Sequence, residues 1–407
     1  MNISASLTPL VLASFWNIIA RNWALFSILL TLLLLVVVPA LILTKYLRIC
    51  LNIISDTAPP LSVPQVGFSR IPGEDKDFYA TDGVRLRGVF YHPSPNVGRR
   101  GTVIFAPEFK STRHSCARYC RPLIEAGYDV FSFDFRGHGD SAPQVGYTPR
   151  QWASEREVAD MLGAICYVEQ WLLDRGRPIE IGLIGISRGG CATILASAES
   201  ASIKAIITDG AFSSDCTLEH LMKRWAKIFA KVRIVYENHP PEFWRFLRWS
   251  LFLTCRLKFK CTFPSVRKML TRMIPRPMLF IHGDRDSYIP VDQSRLLYAL
   301  SGQPKHLWIV RGAKHNQSVD LRPAEYARRT VEFFDHYLAG RQDAANMYKE
   351  GRFVEVALGG LIRPAAQVAL PQAVLPQVAV PLAAGHLHNR MGDGLALGPE
   401  IGRTGPA

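Results

Sequence analysis

Ile179–Ala198 reads IEIGLIGISRGGCATILASA. An apolar run, Ile179 to Ile184, leads into glycines around a serine and then into small residues suited to a helix. Such a pattern is a strand that breaks sharply into a helix. Gly185, Gly189 and Gly190 permit the tight turn and the close backbone approach. The turn lifts Ser187 to the carboxyl edge of a sheet. A Gly-x-Ser-x-Gly run alone also fits a structural turn with an inert serine. The strand before it and the helix after it favour an exposed nucleophile.

Working outward, the chain alternates. Phe78 to Tyr91 suggests two strands joined at Asp82-Gly83, a turn pair suited to a hairpin. Thr102–Ala106, Tyr128–Phe133, Ala205–Thr208, Met278–Ile281 and Leu307–Val310 are short apolar strands, and Ala117–Ala126 and Glu155–Leu173 are helices. Continuous apolar strands alternating with helices predict an α/β fold, a mostly parallel sheet with helices on both faces.

A serine hydroxyl is a weak nucleophile at neutral pH. It needs a base, and the base needs an orienting acid. Phe280-Ile-His-Gly-Asp-Arg-Asp286 and Gly312-Ala-Lys-His315 each close an apolar strand. Both therefore reach the sheet edge that carries Ser187. His315 is assigned as general base and then general acid. Asp286 is its orienting carboxylate, with Asp284 as the rival. His282 reads as structural.

These motifs, together with Asp134-Phe-Arg-Gly-His-Gly-Asp-Ser141, resemble the α/β-hydrolase superfamily. The likeness is greatest to membrane-anchored hydrolase-domain proteins and serine-aminopeptidase-like hydrolases, over roughly residues 75–340. The resemblance implies an α/β-hydrolase fold and a Ser187–His315–Asp286 triad, since Asp286 stands three residues after Gly283. It makes His138 structural. It also implies an oxyanion hole built from the backbone N–H groups of Phe109 and Arg188. No metal or organic cofactor is implied. The chain departs from the family at Ala106-Pro107-Glu108-Phe109, where His-Gly is common. Glu108 brings a carboxylate near a developing oxyanion, with Arg188 or Lys110 as its expected partner.

Trp23–Leu43 contains no charge, and its 21 residues rise about 31 Å, the depth of a bilayer's hydrocarbon core. A retained single-pass anchor (residues 1–54) is expected, a cleaved signal peptide being the rival. Leu10–Ala20 reads as an interfacial helix. Arg21 precedes the span, and Lys45 and Arg48 follow it, which leans towards a cytoplasmic catalytic body. Apart from Asn2, the one glycosylation sequon is Asn316-Gln-Ser, beside His315, where a glycan would obstruct. Residues 55–74 read as a linker, and 341–407, with Pro371, Pro376 and Pro381 at intervals of five, as a loose tail.

The insertion 215–276 reads as a helical cap. It holds 14 Lys and Arg against 4 Asp and Glu, so 14 − 4 = +10 of the chain's +14 lies there. Phe243-Trp-Arg-Phe-Leu-Arg-Trp249 interleaves aromatic and basic residues. That pattern suits a lipid–water interface, and equally a cap packed on the core by its apolar face. Nucleic acid is not an expected partner. The 8 cysteines include no C-x-x-C pair, which argues against a disulfide scaffold and a zinc ribbon. The expected activity is serine-dependent cleavage of an ester or thioester, a lipid-type acyl substrate first. A peptidase or amidase, or a non-catalytic membrane scaffold, is the alternative.

Overall fold

Along each central strand, neighbouring side chains feed opposite cores, as the period-two geometry of a strand requires. In the third strand Val103 and Phe105 enter one core while Ile104 and Ala106 enter the other. The computed structural model describes residues 16–17, 20–55, 71–229, 239–341 and 347–348, all within Met1–Ala357. Its strands are β1 (Glu74–Tyr79), β2 (Arg85–Tyr91), β3 (Gly101–Ala106), β4 (Tyr128–Phe133), β5 (Ile181–Ile186), β6 (Ile203–Asp209), β7 (Met278–Gly283) and β8 (Lys305–Val310). They form one sheet in the order β1-β2-β4-β3-β5-β6-β7-β8. The β1–β2 and β2–β4 pairs are antiparallel, and every pair from β4 onward is parallel.

The helices are α1 (Trp23–Leu32), α2 (Val38–Ser55), α3 (Cys116–Ala126), α4 (Glu155–Leu173), α5 (Arg188–Ser197), α6 (Ser214–Phe229), α7 (Pro241–Phe259), α8 (Val266–Leu270), α9 (Asp292–Leu300), α10 (Ser318–Leu321) and α11 (Pro323–Tyr337). Helices α4 and α5 pack on one face of the sheet, α3 and α11 on the other. A capping box starts α4: the Ser154 side chain accepts from the first turn, and Glu157 reaches back to the Ser154 N–H at 2.9 Å. Trp171 then stacks on Phe90 at 4.3 Å between ring centroids, closing that core.

The structure shifts several boundaries. β5 begins at Ile181, two residues later than the apolar run suggests, and extends to Ile186 because it pairs with β6 as far as Asp209. Helices α9 and α11 have no counterpart in the sequence reading. The apolar helix does not stop near Leu43: a short π-turn, Leu33–Val37, joins α1 to α2, which continues to Ser55. Its last turns carry Cys50 and Ile54 into the same core as α4. Glu74, placed in the linker, opens β1. In the segment read as a loose tail, Met347 and Tyr348 are buried, and the Tyr348 hydroxyl donates to the Arg329 carbonyl at 3.0 Å. The remainder of that tail, linker residues 56–70, cap residues 230–238 and most of the expected interfacial helix lie outside the described residues.

Candidate active site

Helix α5 can start immediately after β5 only because its first turn lies against the backbone leaving β3. A Cβ on Gly189 would stand 2.3 Å from the Ala106 carbonyl oxygen and 2.5 Å from that of Pro107. One on Gly185 would meet Gly190 backbone at 2.7 Å. Between them Ser187 adopts φ 52°, ψ −116°, a left-handed conformation that strains any residue with a side chain by roughly 1–3 kcal/mol. Its N–H donates to the Asp209 carbonyl at 2.7 Å, and its carbonyl accepts from Cys191 N–H at 3.1 Å. The hydroxyl is thus held at the sheet edge by its neighbours' packing.

The loops after β7 and β8 bring the other two side chains to it. Ser187 Oγ lies 2.9 Å from His315 Nε2, and His315 Nδ1 lies 2.6 Å from Asp286 Oδ2. An ionised carboxylate only accepts, so Nδ1 carries the proton and the Nε2 lone pair faces the hydroxyl. Asp286 is fixed by further donors: the Tyr288 and Ile289 N–H groups reach Oδ1 at 2.9 and 2.8 Å, and His282 Nε2 is 3.3 Å from Oδ2. Burial alone would push this carboxyl up. Hydrogen bonds and charge from His282 and His315 outweigh it and hold Asp286 well below the usual carboxylate range. His282 is fully buried, with Nε2 donating to the Ile289 carbonyl at 2.9 Å and Nδ1 accepting from Ser294 at 2.7 Å. Asp284 is exposed and takes the Gly312 N–H at 2.6 Å, tying the two loops together away from the imidazole.

On the opposite side, residues 108–111 form a turn closed by Ser111 N–H to the Glu108 carbonyl at 3.2 Å, with Lys110 at φ 61°. Glu108 does not meet Arg188. Its carboxyl lies 3.3 Å from Ser115 Oγ. Burial pushes it up, opposed by its own backbone N–H, the Arg118 charge, Ser111 and Ser115. Arg188 has other acceptors: Nη1 donates to the Arg150 carbonyl at 3.0 Å and sits 3.5 Å from Glu157. His138 Nδ1 donates to the Arg136 carbonyl at 3.0 Å, in a loop pinned by the buried Arg136–Asp160 pair at 2.6 Å.

The sequence reading missed Asp209 and Asn316. Asp209 is buried beneath Ser187, with Oδ1 3.3 Å from the Ser318 hydroxyl; burial pushes its carboxyl up to about 7. Asn316, in the sequon, is buried and left-handed at φ 57°. Lys110, Ser187 and Asn316 are thus three of the four non-glycine residues with positive φ among those described, one in each of three loops around the hydroxyl. Backbone strain of this kind gathers where function over-determines geometry, and no composition signal announces it. Among the described residues no group of three or more His, Cys, Asp or Glu could hold a metal ion. The eight cysteines are free thiols, and only Cys166 is exposed.

The sequence profile described as the Alpha/beta hydrolase family matches residues 106–329, more than half of the chain, and the chain belongs to that family. The uncharacterized protein YfhR of Escherichia coli (strain K12) is 24% identical over 265 residues, 64% of this chain and 80% of that protein. Protein ABHD12B of Homo sapiens is 26% identical over 212 residues, half of each chain (50% and 51%). Among solved structures, the Pyrococcus furiosus esterase Pf2001 superposes with a TM-score of 0.50 at 24% identity, covering 70% of this chain and 98% of that one. At that identity the likeness speaks for the fold.

Proposed function

We propose that this chain is a membrane-anchored serine hydrolase that cleaves an ester or thioester, with a lipid-type acyl group as the favoured substrate. One observation carries the reading: a strained hydroxyl, an imidazole and a multiply held carboxylate stand in a hydrogen-bonded line of 2.9 and 2.6 Å. As Ser187 Oγ bonds to the substrate carbonyl carbon, its proton passes to His315 Nε2 and the carbonyl electrons move onto oxygen. The N–H groups of Phe109 and Arg188 receive that oxyanion. The carbonyl re-forms, the bond to the leaving alkoxide or thiolate breaks, and the imidazolium protonates it. Water repeats the sequence on the acyl-enzyme and restores Ser187. Asp286 stays ionised throughout and stabilises the imidazolium.

The membrane part of the proposal rests on the helix from Trp23 to Asn52, 30 residues whose most apolar 18-residue stretch has a mean hydropathy of 3.0. Residues 23–42 are exposed, about 30 Å of helix at 1.5 Å per residue, which matches a hydrocarbon core. From Leu43 the helix packs on the body, where Tyr46 meets Phe243 of α7 edge to face at 6.3 Å. Beside that contact α7 exposes Phe246, Trp249, Leu253 and Leu257, which share one helical face. An apolar stripe in a basic insertion next to the anchor suits an anionic bilayer surface. The basic residues after the span favour the cytoplasmic side.

A fluorophosphonate probe tests the chemistry. The parent protein labels on Ser187, and Ser187→Ala abolishes labelling and lowers hydrolysis at least about 10⁴-fold. Equal labelling of both proteins would sink the assignment. A panel of long-chain esters, thioesters and peptides then reads the substrate class. Turnover confined to peptides would replace the esterase reading by a peptidase one.

A further inference from the structure

We infer that the side chains of Arg188 and His138 are positioning groups: they clamp the Phe109 ring and so fix the residue-109 N–H where the oxyanion forms. The inference rests on the serine-hydrolase reading and names parts of the same site. It starts from an anomaly. The residue after the nucleophile is a fully buried arginine. A buried guanidinium is costly unless its charge and donors are met. Here Glu157 lies 3.5 Å away, the Arg150 carbonyl accepts at 3.0 Å from Nη1 and His138 Nε2 stands 3.4 Å from Nη2, while the buried Nε has no hydrogen-bond partner among the described residues. Those contacts fix the plane of the group. Its faces meet two rings, with the guanidinium carbon 4.8 Å from the Phe109 centroid and 5.0 Å from that of Phe135.

The second jaw is His138. A guanidinium only donates, so His138 Nε2 accepts, and Nδ1–H donates to Arg136. Burial and the Arg188 charge push His138 down to about 3, which keeps it in that accepting form at neutral pH. Its ring meets Phe109 edge to face, centroids 5.7 Å apart and planes at 66°. Phe109 therefore lies between a cation that faces its π cloud and an imidazole at its edge. The tether matters because Phe109 belongs to a short turn with a left-handed lysine at its third position. The Gly189 backbone, pressed on the Ala106 and Pro107 carbonyls, brings the Arg188 stem within reach. One residue's backbone would thus supply one oxyanion donor while its side chain holds the other.

The test uses the full chain in detergent with p-nitrophenyl acetate. Phe109→Leu and Arg188→Met each lower kcat about 10- to 100-fold, below the roughly 10²–10³-fold loss from deleting a donor, with KM within about twofold. Each weakens a trifluoromethyl ketone, whose tetrahedral adduct carries the oxyanion, by the same factor as kcat. The double variant loses no more than the worse single one. Phe109→Tyr, which keeps a ring face, recovers most of what Leu loses. Unmoved ketone affinity, a rise in KM with kcat intact, or additive losses would overturn the clamp. If Arg188→Met fails to melt cooperatively, the Phe109 pair decides alone. If the parent neither labels with fluorophosphonate nor hydrolyses ester, the serine-hydrolase reading falls and the clamp with it. An active parent matched by its variants removes the clamp only.

Discussion

The turn around Ser187 and helix α7 are built on opposite terms. At the turn, glycine backbones touch carbonyls, Ser187 is strained, and the side chains meeting it have mapped partners. Helix α7 has two apolar faces. Trp244, Leu247, Leu251 and Cys255 are buried in the core, while Phe246, Trp249, Leu253 and Leu257, two residues out of phase, are exposed. The first region has no room for a Cβ at Gly185 or Gly189, because backbone already fills that space. The second leaves one face unfilled, and its meaning lies in what covers that face. Packing explains the turn without any partner, whereas the outer stripe of α7 stays exposed among the described residues.

The comparison breaks most visibly at Gly189. An alanine there must displace the backbone of residues 106–107, since its Cβ would fall 2.3 Å from a carbonyl oxygen. Gly189→Ala should lose stability at or above the ~3 kcal/mol upper end of ordinary overpacking. Thermal melts and the fluorophosphonate labelling rate would both fall. A variant with parental melting and labelling would show that the turn is looser than its contacts say.

The two faces of α7 sharpen the contrast within one helix. Leu251→Ala on the inner face should cost about 2–3 kcal/mol, near the lower end of buried leucine truncations because a helical insertion can partly collapse. Trp249→Ser on the outer face should change stability by no more than about 0.5 kcal/mol. It should also remove part of the tryptophan emission that brominated lipids quench when the chain sits in anionic vesicles. Quenching identical to the parent's would leave the outer stripe without its lipid partner.

What was legible in the sequence follows the same divide. The strand–turn–helix at Ser187 and the loops carrying Asp286 and His315 were readable because glycine and strand patterns are local. Helix α4 was readable to the residue because Ser154 and Glu157 cap it. The partners of Arg188 and Glu108 were not, since they depend on which distant backbone faces each group. Arg150 and His138 come from other loops, and Ser115 lies beyond a turn whose conformation no residue type dictates. The course of the apolar helix beyond Leu43 was not legible for a related reason: Lys45 and Arg48 interrupt the apolar pattern, and only tertiary packing carries the helix on to Ser55.

The remaining expected effect concerns pH and His138. Its folded-state value is held near 3, below the ordinary 6.5. Between those values the unfolded chain binds more protons, so stability rises with pH. The contribution is complete above about 6.5 and drains away as pH falls towards 3. Down to pH 5 the loss is about 1–2 kcal/mol. His138→Gln cannot titrate, so it should start lower at pH 7.5, having lost its ring contact with Phe109, and then fall less steeply than the parent between pH 7.5 and 5. Melting curves across that range read the slope directly. Parallel slopes would mean that the imidazole is free to charge in the folded chain, and a charged ring could not accept from Arg188.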